Sequence, residues 1–241
     1  MFNLIKDDFD ENMDDIINSI NKILNEDNKQ NNEINEENNK KYKWYRGKIK
    51  MANSKLIVVE GPQGAGKTTI TDFLRYSLSY TNLYRLCGTS DSTPTGKKKA
   101  EDMYVDLLEY MKKMENKSIN MVFDRTFFTE ENYCRLGKKA YSYTDVYSRL
   151  LEDFSKLDFD IYYITLYLRD ESLYNERLNR EGKAAFQGSK FEAENSIKQQ
   201  RVYLEMAEEI REKYPNINVI NIANDRDLEE VKQELRKILK L

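Results

Sequence analysis

"KLIVVEGPQGAGKTTITDFLRYSLSY", residues 55–80, runs from a short, continuous apolar stretch through a glycine-rich turn into a segment with apolar residues at helical spacing. An apolar stretch of that length reads as a strand buried on both faces, and the segment after it as a helix. The turn between them fits G-x-x-x-x-G-K-[ST] through Gly61, Gly66, Lys67 and Thr68. That is the pattern of a loop that holds phosphates, and a strand before and a helix after are the context it needs.

Each residue type in the turn has a task. Gly61, Gly64 and Gly66 permit backbone dihedrals that bring N–H groups close to phosphate oxygens. The helix beginning near Lys67 directs roughly half a positive charge at the same anion. In such a loop the lysine reaches the β and γ phosphates and the Thr68 hydroxyl ligates Mg2+. The stretch Gly61, Pro62, Gln63, Gly64, Ala65, Gly66, Lys67, Thr68 and Thr69 is therefore expected to embrace a nucleotide's phosphates.

Two further segments belong with it. "INMVFD" (119–124) is an apolar strand ending in Asp124, where a carboxylate would sit near the metal, and Arg125 would project into a cleft; a surface ion pair is the plainer reading. "LRDESLYNERLNREGKAAFQGS" (168–189) sets Arg169, Arg177, Arg180 and Lys183 around a short helix ending at Gly182. Arg177 and Arg180 share a helix face and suit a lid over a moving phosphoryl group. A solvated charged helix, with Glu176 and Glu181 as partners, is the alternative.

Strands are expected at 55–60, 82–87, 119–124, 161–168 and 217–222, with helices at 67–80, 97–115, 142–156, 171–181, 190–213 and 227–240. This alternation predicts right-handed β-α-β units, an α/β fold whose parallel sheet is flanked by helices, with ligands at the carboxyl ends of the strands. The 241 residues otherwise divide into two regions: 1–50, an amphipathic helix and a low-complexity linker, and 51–241, which carries the motifs. In the first region Phe9, Met13, Ile16, Ile17, Ile20, Ile23 and Leu24 form an apolar stripe, suited to its own domain, a second copy in a homodimer, or a protein partner. The Asn, Glu and Lys-rich run that follows reads as solvated linker. "KYKWYRGKIK" (41–50) mixes cations with Trp44 and Tyr45 as a junction or nucleic-acid contact, and Met51 could be a second start.

Composition excludes several classes. A net charge of −3 speaks against a nucleic-acid footprint over the whole molecule. No apolar run is long enough to cross a bilayer and no signal peptide is recognisable, so no membrane is expected and the cytoplasm is the expected compartment. Cys87 and Cys134 match no metal or redox spacing and read as buried thiols in a reducing compartment, with a single disulfide as the lesser reading. With no histidine in the chain, acid-base work falls to Asp, Glu, Lys or water.

Three segments in this order, "VEGPQGAGKTT", "VFDRTFFTEENY" and "LYLRDESLYNERLNREGK", followed by "QQRVYLEMAEE" (199–209), resemble the thymidylate kinase and deoxynucleoside kinase families of P-loop kinases over about residues 54–241. The resemblance implies a five-stranded parallel sheet, ATP with Mg2+ as donor, and a small-molecule nucleotide or nucleoside as acceptor. It implies that Lys67 and Thr68 hold the ATP phosphates and the metal, with Asp124 beside Thr68 as a second metal ligand. Arg125 would face the acceptor, Arg177 and Arg180 would serve as lid arginines, and Arg201 would match loosely an arginine on the following helix. The chain carries Gln63 where thymidylate kinases usually have Asp, and "RLCGTSDSTPTGKKK" lacks the glutamate common after the second strand. Glu60 and Asp124 are left as candidate bases, although a monophosphate acceptor needs none. Phe127, Phe128, Tyr133 and Tyr104 form either a base-stacking slot or core.

The expected activity is thus phosphoryl transfer to a nucleoside monophosphate, with a deoxynucleoside kinase as the near alternative. A P-loop ATPase or switch that binds a partner, and a polynucleotide kinase, are the readings from other classes.

Overall fold

Five strands and seven helices alternate along residues 54–179 and 192–241, the part of the chain that the computed structural model describes. The strands are β1 (Lys55–Glu60), β2 (Thr81–Arg85), β3 (Asn120–Asp124), β4 (Asp160–Tyr167) and β5 (Asn218–Ala223). The helices are α1 (Lys67–Ser77), α2 (Pro94–Lys113), α3 (Phe127–Arg135), α4 (Thr144–Ser155), α5 (Leu173–Asn179), α6 (Ala193–Lys213) and α7 (Leu228–Leu239). Every strand pairing is parallel and the order is β2-β3-β1-β4-β5. Parallel neighbours need crossover helices, and the helices fall between consecutive strands as that rule requires.

β1 is central, and all of its residues after Lys55 are buried. Alternate residues of a strand point to opposite faces, so Leu56 and Val58 join Phe123 and Tyr163 in one core, while Ile57 and Val59 join Val122 and Ile164 in the other. The first core takes side chains from α2, α3, α4 and α6, and the second from α1 and α7. The continuous apolar runs are thereby explained: each central strand has a helical layer on both sides.

Asn53–Leu241 forms one compact unit. The apolar stripe of residues 8–25, the polar linker and "KYKWYRGKIK" lie outside the described residues. Among the described residues no helix is long and apolar enough to cross a membrane. Cys87 and Cys134 are free thiols, but neither is buried as expected: Cys134 is half-buried and Cys87 is exposed, because β2 ends at Arg85 and leaves Cys87 in the loop beyond it.

The sequence reading places every strand to within two residues but does not foresee α3. This helix hides from apolar periodicity because it buries polar side chains: Thr129, Glu130, Glu131 and Asn132 are all at most 2% exposed. They are accommodated by partners from elsewhere in the chain, including Tyr203 for Thr129, Thr144 for Glu131 and the Gln199 carbonyl for Asn132. Its apolar end answers the aromatic question for Phe127 and Phe128. Phe127 and Phe128 stack at 4.3 Å and pack on Phe154, and Phe128 also meets Tyr163 at 4.6 Å, all with no exposed surface. These rings are core rather than a base-stacking slot. Tyr104 is also fully buried, edge-on to Phe127.

Candidate active site

The loop after β1 turns with Gly61, Gly64 and Gly66 all at positive φ. Two of these positions admit no side chain for a further reason. A Cβ on Gly61 would lie 2.4 Å from the Leu166 carbonyl oxygen of β4, and one on Gly66 would lie 2.3 Å from Asn224 Nδ2. That Asn224 amide donates to the Ala65 carbonyl at 2.7 Å and so braces the loop from the end of β5.

Lys67 begins α1 and is buried, its Nζ donating to the Gly61 and Pro62 carbonyls at 2.8 Å each. The cation is thereby parked over the cradle it would serve. One residue on, Thr68 Oγ1 lies 3.4 Å from Asp124 Oδ2 at the end of β3. Among the described residues no group of three or more Cys, Asp or Glu is gathered for a metal. A hydroxyl beside one carboxylate is nevertheless what Mg2+ takes from a protein when phosphate oxygens and water complete its shell. The donor set therefore fits that ion.

Arg125 follows Asp124 with φ 75, a left-handed conformation that costs a non-glycine residue about 1–3 kcal/mol and concentrates at functional sites. Its N–H donates to the Val59 carbonyl at 3.2 Å, and the side chain lines a cleft of about 530 Å³ with Gln63, Gly64, Gly66, Lys67, Thr68, Thr69 and Asp124. Arg177 of α5 reaches the same cleft, donating to the Asn224 carbonyl at 2.7 Å and lying 3.4 Å from the Gly64 carbonyl. Arg180 and Lys183 lie outside the described residues.

The other expected cations fall elsewhere. Arg169 pairs with Asp225 at 3.0 Å, and Arg201 with Glu171 at 3.5 Å; neither lines the cleft. Glu60 is fully buried at the end of β1 and also does not line it. Its carboxylate accepts from the Thr126 N–H at 2.7 Å, the Thr126 hydroxyl at 3.2 Å and the Thr129 hydroxyl at 2.8 Å. Burial pushes its pKa up to about 7, against the lowering effect of those hydrogen bonds and of Lys67 and Arg125. Glu60 thus anchors the start of α3.

Three cleft residues with nitrogen-bearing side chains escaped the sequence reading. Arg85 ends β2, pairs with Asp72 and approaches Asp124 at 3.9 Å. Asn224 and Arg226 follow β5. A residue at the carboxyl end of a strand was the available signal, but β2 was expected to run on to residue 87, which hid Arg85 inside it. The strand stops at Arg85, and Leu86 and Cys87 enter the cleft wall.

No protein-family model and no curated protein matches the chain. Solved structures do. The chain is similar to thymidylate kinase from Candida albicans at a TM-score of 0.54 and 17% identity, over 78% of this chain and 92% of that one. The chain has a P-loop kinase fold of the thymidylate kinase kind. It is also similar to deoxyadenosine kinase from M. mycoides (TM-score 0.49, 21% identity, 77% of this chain and 98% of that one) and to thymidylate kinase from Ehrlichia chaffeensis (0.46, 15%, 78% and 99%). Within the P-loop kinase fold the cleft described above lies at the carboxyl ends of the parallel strands, where ligands of such sheets gather.

Proposed function

We propose that this chain is a Mg2+-dependent kinase that transfers the γ-phosphoryl group of ATP to a nucleoside monophosphate. The observation that carries the reading is the charge of the cleft. Among the described residues, Lys67, Arg85, Arg125, Arg177 and Arg226 line it against one carboxylate, Asp124. Such an excess of cations suits two phosphate-bearing substrates that meet end to end.

Phosphoryl transfer asks little covalent chemistry of a protein and much positioning and charge stabilisation. The loop N–H groups and the α1 N-terminus would hold the donor's phosphates, and Lys67 Nζ would exchange the Gly61 and Pro62 carbonyls for phosphate oxygens. Mg2+, held by Thr68 and Asp124, would offset charge on the β and γ phosphates. Arg125 would orient the acceptor's phosphate from across the cleft. Arg177 would cover the transferring group, and Arg180, three residues on in the sequence, is proposed for the same task.

Glu60 favours a monophosphate over a nucleoside. A hydroxyl acceptor needs a carboxylate within hydrogen-bond reach, whereas Glu60 is committed beneath α3 and Asp124 is engaged by Thr68 and Arg85. A monophosphate's oxygen is already anionic and needs no base. The test is product mass after incubation of the full chain with ATP, Mg2+ and a panel of nucleosides and nucleoside monophosphates, beside Lys67→Ala. A nucleoside diphosphate product, and a loss of at least about 100-fold in turnover in a folded Lys67→Ala, would support the reading. Phosphorylated nucleosides, or near-normal turnover in the variant, would refute it.

A further inference from the structure

Arg125 is held in its left-handed conformation from both sides, by different means. The peptide before it is fixed by main chain alone: the Asp124 carbonyl accepts from the Leu86 N–H at 3.0 Å, and the Arg125 N–H donates to the Val59 carbonyl at 3.2 Å. The peptide after it is fixed by a side chain. The Thr126 N–H donates to Glu60 Oε1 at 2.7 Å, and the Thr126 hydroxyl donates to the same oxygen at 3.2 Å. Val59 and Glu60 are consecutive in β1, so one strand end grips both sides of the Arg125 Cα.

Glu60 is itself fixed. It has no exposed surface, and its Oε2 accepts from Thr129 Oγ1 at 2.8 Å, which meets the Tyr203 hydroxyl of α6 at 2.9 Å. The hydrogen bonds thus run from α6 through α3 to the peptide that follows Arg125. A buried carboxylate is costly unless its oxygens are satisfied, and an apolar side chain would fill the volume without that cost. What the carboxylate adds is an acceptor aimed at one N–H. A backbone strained at φ 75 persists only where its surroundings over-determine it. Fixing both flanking peptides fixes the direction of the Arg125 Cβ, and with it the side chain that lines the cleft.

We propose that Glu60 is a positioning residue: by holding the Thr126 N–H it locks Arg125 in the conformation that presents its guanidinium to the acceptor's phosphate. Glu60 thereby sets acceptor affinity without touching the acceptor, a role beyond anchoring α3, and the identity of the anion rests on the kinase reading. Without this hydrogen bond Arg125 relaxes toward negative φ and only a fraction of molecules present it, so the apparent affinity falls by that fraction. The strain such a residue carries corresponds to about 5- to 150-fold.

The test is calorimetric titration of the full-length chain with nucleoside monophosphates and, separately, with ATP, with transfer rates measured alongside. Wild type is compared with Glu60→Gln, Glu60→Met, Arg125→Ala and the double variant of the last two. Glu60→Met fills the volume without an acceptor; it is expected to weaken the best-bound monophosphate by about 5- to 150-fold and to leave ATP affinity within about threefold. Glu60→Gln keeps an acceptor for Thr126 and should restore monophosphate affinity to within about threefold of wild type. In the Arg125→Ala background Glu60→Met should cost nothing further, since a positioning residue acts only through what it positions. Should Glu60→Met not fold, Glu60→Asp, which draws the carboxylate back by one methylene group, takes its place in the same cycle. A role confined to stability would lower the thermal midpoint of Glu60→Met and leave the monophosphate affinity of the folded protein unchanged. That result overturns the proposal, as does a Glu60→Gln as impaired as Glu60→Met, a full additional loss in the Arg125→Ala background, or no binding of any monophosphate by the wild type. A wild type that binds monophosphates but transfers nothing refutes the kinase reading instead, and leaves the cycle to decide whether Glu60 positions Arg125.

Discussion

Glu60 illustrates how a residue can stand next to the phosphate loop and still serve the fold. Its ordinary pKa of 4.5 is pushed up to about 7 by burial. Between those values the folded chain binds a proton that the unfolded chain has lost. The associated stabilisation is complete below about pH 4.5 and disappears as pH rises through about 7, an effect of roughly 1–3 kcal/mol. Glu60→Gln, which keeps an acceptor for Thr126, should flatten the dependence of the thermal midpoint on pH between about 5 and 8. Parallel profiles for the two proteins would show that Glu60 does not titrate in that window. Residues with a motif around them were legible in advance: the glycines, Lys67, Thr68, Asp124 and Arg125 all line the cleft or shape its loop. Arg85 and Asn224 were not, because their roles come from what the sheet order brings beside them, and a single sequence carries no such adjacency.

At the scale of elements, strands announced themselves because each central one is covered twice and reads as an apolar run. α3 did not, since its buried face is half carboxylate and amide. The helix is nevertheless fixed by its aromatic start, where Phe128 packs on Phe127, Phe154 and Tyr163. Phe128→Ala leaves a cavity among rings that cannot collapse freely. It should cost about 3–5 kcal/mol, read as a lower midpoint in urea with an unchanged slope. A loss below about 1 kcal/mol would mean that α3 is not held by this packing. Because Arg125 lies between β3 and α3 in a strained conformation, the same substitution should also lower transfer activity in the protein that remains folded.

For the whole molecule, the sheet order, the phosphate loop and the cleft all belong to Asn53–Leu241. The split at residue 50, read from composition, leads to a proposal about the remainder: the first fifty residues are dispensable for chemistry. A chain beginning at Met51 should fold and transfer phosphate at a rate constant within about twofold of the full chain, a difference of about 0.4 kcal/mol in the barrier. Loss of folding or activity would place those residues in the site or in an obligate oligomer. The central claim concerns the cleft, and the most direct measurement is stoichiometric: ADP released per acceptor phosphorylated by the full chain with ATP and Mg2+. A nucleoside monophosphate that accelerates ADP release, gains one phosphate per ADP, and leaves acceptor-free hydrolysis slow is the predicted result. ADP released at the same rate with and without every acceptor, with none phosphorylated, would contradict it and make the chain a nucleotide hydrolase on a kinase fold.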